Sequence, residues 1–142
     1  MKVAVRYVTR SGNTKKLADA IGQAAQVPAL PVTHPLAEPV DLLFLGGSVY
    51  GGGVDSALIS FIGGLASGTV KKVAVFSTAA ITFSAYPQIK RLLAARGIAV
   101  ESREYHCRGK FAVFHRNRPD DRDCAAAAKF AADLIQESSP NT

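Results

Sequence analysis

The chain has no tryptophan, one methionine and two cysteines, and too few acidic residues to balance its basic ones: 11 Asp and Glu against 17 Lys and Arg, a formal net charge of +6. Each shortage excludes something. Cys107 and Cys124 form no Cys-x-x-Cys pair, and such usage fits two idle thiols in a reducing cytoplasm better than a disulfide framework. No apolar run approaches the length of a membrane span, and the N-terminus lacks the layout of a secretory signal. His34, His106 and His115 have no ligand-like spacing to one another or to either cysteine, which argues against a metal site. No Gly-x-x-x-x-Gly-Lys-Ser/Thr occurs, so Walker-type nucleotide hydrolysis is not expected. The basic charge comes without a reading helix or a set of stacked aromatics, which argues against nucleic acid. What is present is ordinary globular composition, 48% apolar and 20% charged over 142 residues. That is enough for a single domain, residues 1–142, with its own core.

Periodicity alternates between strand-like and helix-like segments. Residues 3–8 read as a first strand, and 13–25 as a helix with Leu17, Ile21 and Ala24 on one face. Residues 28–32 carry two prolines and read as an edge strand. With Pro35 and Pro39, residues 33–40 predict a short helix or none. Residues 41–46 are a near-continuous apolar strand, as expected of one covered on both faces. Leu58, Phe61, Ile62 and Leu65 mark a second helix, and 73–76 another buried strand. Tyr86, Ile89, Leu92 and Leu93 mark a third helix stopped near Gly97, and 98–105 a last strand. Pro119-Asp120-Asp121 opens a terminal helix whose acids suit the helix dipole. The alternation predicts an α/β fold: a doubly wound five-stranded parallel sheet with helices on both faces. Its ligand belongs beyond the carboxyl ends of the strands, where the winding reverses.

Three loops at that end share one character: residues 9–14, 47–53 and 77–83 are small, polar or glycine-rich. In the first, Thr9-Arg10-Ser11-Gly12-Asn13-Thr14 stands between strand and helix, and points backbone N–H groups and a helix N-terminus at one spot, as phosphate binding requires. Gly12 allows close approach, Thr9, Ser11 and Thr14 offer hydroxyls, and Arg10, Lys15 and Lys16 add charge. The plain alternative is a polar loop with Asn13 or Ser11 as N-cap. Gly51-Gly52-Gly53-Val54-Asp55-Ser56 looks like a damaged Gly-x-Gly-x-x-Gly, with Ser56 in the third position. It also has no acidic residue about twenty positions on, so a dinucleotide reading fails.

On these residues the chain resembles the flavodoxin family, specifically its short-chain members, over nearly its whole length. Residues 9–14 match the family's Thr-x-Thr/Ser-Gly-Asn-Thr phosphate loop at every defining position. Leu45-Gly46-Gly47-Ser48-Val49-Tyr50-Gly51 is similar to the second flavin loop, and Phe76-Ser77-Thr78-Ala79-Ala80 to the third. The resemblance implies a sheet order of 2-1-3-4-5 and FMN as cofactor. It implies that Thr9, Arg10, Ser11, Gly12, Asn13 and Thr14 hold the phosphate, and that Ser48, Val49, Tyr50, Gly51, Gly52, Ser77, Thr78, Ala79 and Ala80 surround the ring. Tyr50 would stack on one face, Gly51 or Gly52 would carry a peptide that reorients on reduction, and Phe83 is either a second stacking residue or a core residue. The chain departs from the family in its basic charge, in having no acid beside the second loop nearer than Asp55, and in a short proline-rich 33–40 segment.

The resemblance further implies a cytoplasmic electron-transfer flavoprotein that shuttles electrons between redox partner proteins, a reductase and an acceptor. The chemistry then belongs to the flavin, with no catalytic side chain expected. The basic surface and open second loop also suit a flavin-dependent oxidoreductase acting directly on a quinone or porphyrin-like substrate. A third reading is an FMN- or phosphate-binding module without turnover. Arg103, Arg108, Lys110, Arg116, Arg118 and Arg122 outnumber Glu104, Asp120 and Asp121, and would meet acidic docking surfaces or an anionic substrate. The plain reading of that stretch is a solvated face.

Overall fold

The computed structural model describes residues 1–9, 12–50, 53–66, 68–79, 84–108 and 119–138, with backbone alone at 49, 50, 79 and 108. In chain order the elements are β1 (Val3–Tyr7), α1 (Asn13–Ala25), β2 (Ala29–Pro31), β3 (Val40–Tyr50), β4 (Gly53–Val54), α2 (Ser56–Gly63), β5 (Val70–Ala79), α3 (Tyr86–Ala94), β6 (Ala99–Arg108) and α4 (Asp121–Ser138). The sheet runs β2-β1-β3-β5-β6, every neighbouring pair on that path parallel. The two-residue β4 pairs antiparallel with β3 and lies off the path. With β4 set aside, this is the expected five-strand order.

Alternating residues of the central strands feed two cores. Leu43, Leu45, Val73 and Val75 meet Leu58 and Ile62 of α2 and Ile89 and Leu93 of α3. Their sequence neighbours Leu42, Phe44, Ala74 and Phe76 meet Leu17 and Ile21 of α1 and Ala127, Ala131 and Leu134 of α4. Burial on both faces is why these strands read as unbroken apolar runs. Gly46 is required by this packing: a Cβ there would stand 2.1 Å from the ring of Phe76, its partner across the strands.

The connection between β2 and β3, residues 32–39, forms no helix, in keeping with its prolines. Val32 and Leu36 still pack on the α2/α3 side. Arg6, from β1, supplies donors to the connection's backbone. Its Nε donates to the carbonyl of His34 at 2.8 Å and one terminal nitrogen to that of Pro35 at 3.3 Å, while the other reaches Val5 O at 2.9 Å. The side chain is buried, and burial pulls its pKa below the ordinary guanidinium value. Sequence reasoning passed over this residue; a single charge inside an apolar strand was the signal.

Two expected loops begin as strand. Gly47, Ser48 and Val49 pair with Ser77, Thr78 and Ala79, so β3 and β5 run on together past the predicted ends. β1 stops at the level of Gly46, where Val8 N–H donates to Gly46 O at 3.0 Å. Beyond that point β3 has an open edge, and β4 folds back on it, pairing Val54 with Val49 and Gly53 with Tyr50. Small polar residues looked like loop, but available ladder partners decided the conformation.

Candidate functional site

The winding reverses between β1, which leads outward to β2, and β3, which leads the other way to β5 and β6. A ligand crevice belongs at that switch point, above the carboxyl ends of these strands. Here α1 begins. Gly12, rather than Ser11 or Asn13, is its N-cap, because a φ of +85° at Gly12 turns the chain and leaves Asn13 already helical. That left-handed conformation suits glycine, and among the described residues a Cβ there would meet nothing within 4 Å. Among these residues the cradle is open. Gly12 N–H donates to Thr9 Oγ1 at 2.9 Å, closing the turn, and the first intrahelical bond runs from Lys16 N to Gly12 O at 3.2 Å. The amides of Thr14 and Lys15 precede that bond, at the positive end of the helix dipole. The first turn has no acidic residue, and Lys15 is tied to Asp19 at 2.7 Å.

Beneath the turn three hydroxyls meet. Thr14 Oγ1 lies 2.6 Å from Ser48 Oγ and 3.1 Å from Thr78 Oγ1, and the last two are 2.8 Å apart. All three residues are buried, Thr14 completely. Three of the predicted site residues, far apart in sequence, are thus joined at α1, β3 and β5. The Thr14 hydroxyl, expected among the anion donors, is turned inward.

Other side chains brace the same edge. Ser77 Oγ accepts from Ala85 N at 3.4 Å, and Ser84 Oγ accepts from Tyr86 N at 2.9 Å while donating to Glu104. His106 Nδ1 stands 3.8 Å from Glu104, on β6 beside Ser77. Gln88 of α3 accepts from Val54 N at 3.0 Å and occupies the space a side chain at Gly53 would need. Asp55, the nearest carboxylate to the second loop in sequence, caps α2 by accepting from Ala57 N at 2.9 Å. Sequence reasoning missed Gln88, which lies on a helix outside the loops where it sought polar groups, and named Glu104 only as an acid within the basic 103–122 stretch.

Arg10, Ser11, Gly51, Gly52, Ala80 and Phe83 lie outside the described residues, as do Lys110, Arg116 and Arg118. Val49, Tyr50 and Ala79 are placed by their backbones, at the ends of β3 and β5. Arg103 is turned away from the crevice, ion-paired with Glu101 at 3.1 Å and with Glu137 of α4 at 2.6 Å. Cys124, near the start of α4, approaches Lys16 O at 3.8 Å. Burial, then the neighbouring Asp123 and Asp121, raise its thiol pKa, which opposes thiolate chemistry there.

A doubly wound sheet with a glycine-turned helix start at its switch point belongs to the class of α/β architectures whose ligands sit beyond the carboxyl ends of the strands. Solved structures narrow this to the flavodoxin fold. A flavodoxin from the domain Archaea is 19% identical, with 96% of this chain and 98% of that one covered and a TM-score of 0.74. Oxidised flavodoxin 2 from Bacillus cereus is 18% identical, with 96% and 99% covered and a TM-score of 0.71. Rubredoxin oxygen:oxidoreductase from Desulfovibrio gigas is 14% identical at a TM-score of 0.70, but 96% of this chain covers 36% of that one. No protein-family sequence profile matches the chain, and no curated protein sequence does so either.

Proposed function

We propose that this chain binds FMN and carries electrons between redox proteins. The observation that carries the reading is the juxtaposition, on a flavodoxin fold, of the open Gly12 turn at α1 with the small-residue ends of β3 and β5. The cradle fits a phosphate: the N-cap brings no side chain, the first turn has no carboxylate, and none of the described residues fills the space at Gly12. Residues 9–14 would hold the phosphate, chiefly through main-chain N–H groups. Residues 48–52 and 77–80 would line the ring, with Tyr50 covering one face. FMN, when bound, supplies one- and two-electron chemistry that no side chain can.

The chain's own residues position and shield. The paired ends of β3 and β5 set the depth of the crevice, and Gln88 fixes the β3–β4 ribbon at its rim. Helix α2 consumes Asp55, so this carboxylate is committed to a cap beside the ribbon. The net charge of +6 favours acidic docking surfaces on the reductase and acceptor. The test is spectroscopic. Purified protein, or apoprotein given FMN, is expected to show a bound-flavin absorbance spectrum and to pass electrons only when a reductase is added. Failure to take up FMN overturns the cofactor assignment. Steady turnover of a quinone with NAD(P)H and no added reductase overturns the carrier role in favour of an oxidoreductase.

A further inference from the structure

Acidic residues are divided unequally between the two faces of the sheet. On one face, α1 and α4 carry Asp19, Asp121, Asp123, Asp133 and Glu137 among their basic residues. On the other, residues 56–100, which hold all of α2 and α3, contain no Asp or Glu. The carboxylates that bound this stretch are committed: Asp55 caps α2, and Glu101 pairs with Lys72 at 3.3 Å and with Arg103 at 3.1 Å. Lys71 pairs with Asp41 at 3.1 Å. Lys90, Arg91 and Arg96 have no ion pair among the described residues. What holds two of these cations leaves their charge intact. Lys90 Nζ stands 5.7 Å from the centre of the Tyr86 ring, within cation–π reach. Arg96 donates from two nitrogens to Leu65 O at 2.7 and 3.0 Å, which ties the turn after α3 to the turn after α2.

Beside them α2 turns Leu58 and Ile62 inward and presents Ala57, Ile59, Ser60 and Gly63 to solvent, a side with no charge of either sign. A neutral centre flanked by unpaired cations is the anatomy of a protein interface. One exposed isoleucine is too little apolar surface to enter a bilayer, and cations confined to α3 and its end offer no track for a phosphate backbone. The face also reaches the crevice. Gln88 of α3 accepts from Val54 N at 3.0 Å at the rim, and Lys90 lies about 6 Å along the helix from Tyr86, where α3 begins. We propose that the outer side of α2 and α3 is the docking surface for an acidic protein, with the neutral side of α2 at the centre of contact and Lys90 and Arg91 meeting the partner's carboxylates. The acids of α1 and α4 make the opposite face the poorer approach. This deepens the electron-carrier reading and rests on it for the partner's redox character, while the surface itself stands on the distribution of charge.

The experiment titrates isotope-labelled protein with an acidic ferredoxin as probe and follows the backbone amide signals. It is run with and without added FMN, so that failure to take up FMN defeats the cofactor reading and still leaves the docking result readable. Signals of α2 and α3 should move while those of α1 and α4 stay. Lys90→Glu with Arg91→Glu should weaken binding about tenfold at low salt. Lys2→Glu with Lys129→Glu, the same change in net charge on other surfaces, should alter it by less than about twofold. Ser60→Glu, which sets a carboxylate on the neutral centre, should weaken it about three- to tenfold. Circular dichroism equal to the wild type shows that each variant is folded. Equal weakening by the two double variants would reduce the effect to net charge and overturn the proposal. So would shifts confined to α1 and α4, or no binding of the ferredoxin by the wild type at about 0.02 M salt. Displacement of the ferredoxin from this face by phosphatidylserine vesicles or by duplex DNA would overturn it too, in favour of a membrane surface or a nucleic acid.

Discussion

Helices α1 and α4 start side by side on one face of the sheet, the Cys124 thiol of one 3.8 Å from the Lys16 carbonyl of the other, yet their N-termini are built in opposite ways. At α4, Asp120 and Asp123 cap each other: Asp120 N donates to Asp123 Oδ2 at 2.9 Å and Asp123 N to Asp120 Oδ1 at 3.0 Å. This reciprocal arrangement brings its own negative charge to the positive end of the dipole. At α1 the cap is Gly12 and the first turn carries no acid. Glycine in place of asparagine or aspartate at an N-cap costs only a few tenths of a kcal/mol. An open terminus is therefore cheap for the fold, and it leaves the dipole and the amides for an outside anion. Residue type, added to position at the switch point, separates the self-capped terminus from the one without a side-chain cap.

The largest effect should come from giving α1 the character of α4. In Gly12→Asp a carboxylate would sit in the cradle, at a φ of +85° that aspartate tolerates better than most residues, with no described residue within 4 Å of its Cβ. The fold should survive. FMN binding should weaken by roughly a hundredfold, the sum of at least one lost charge-assisted bond of about 1.5–3 kcal/mol and like-charge repulsion. Fluorescence titration measures this directly, and an affinity equal to the wild type would break the comparison between the two helix starts.

A third carboxylate shows what cations do where helix amides are not the donors. Glu101 sits where β6 bulges, between the Val73–Val100 and Val75–Glu104 pairings with β5. Burial disfavours its charge, but the Arg103 backbone N–H, the Arg103 guanidinium and Lys72 outweigh burial and lower its pKa from 4.5 to about 2. A lowered folded pKa means stability that is present above pH 4.5 and lost as pH falls toward 2. Glu101→Gln should be less stable near neutrality and should lose less on acidification across that window. Thermal melts at stepped pH measure both; parallel curves for the two proteins would remove Glu101 from the acid response.

Much of this fold was legible. The two cores follow from the near-continuous apolar runs at 41–46 and 73–76, which imply cover on both faces, and the absence of a helix at 32–39 follows from Pro35 and Pro39. The ends of β3 and β5 were not legible, because Gly47-Ser48 and Ser77-Thr78 have loop composition and their pairing depends on partners distant in sequence. The cradle was visible as a glycine turn, but the cap fell to Gly12 through its backbone angle, which composition does not encode. The meeting of the three hydroxyls was invisible for a stronger reason. Positions 14, 48 and 78 have no relation in the chain until the fold brings the start of α1 to the ends of β3 and β5.

The smallest effect tests the other half of the comparison, by opening α4. Asp120→Ala removes the side chain that accepts from Asp123 N and leaves the α4 amides facing solvent or Asp123 alone. Loss of such a cap costs about 0.5–2 kcal/mol, so denaturant unfolding should shift by that amount with an unchanged slope. FMN affinity should stay at the wild-type value, because α4 contributes a fixed structural charge and not a ligand donor. Should Asp120→Ala instead tighten FMN binding strongly, the acids of α4 would be acting on the neighbouring cradle across the helix pair, and the two termini would have to be treated as one electrostatic site.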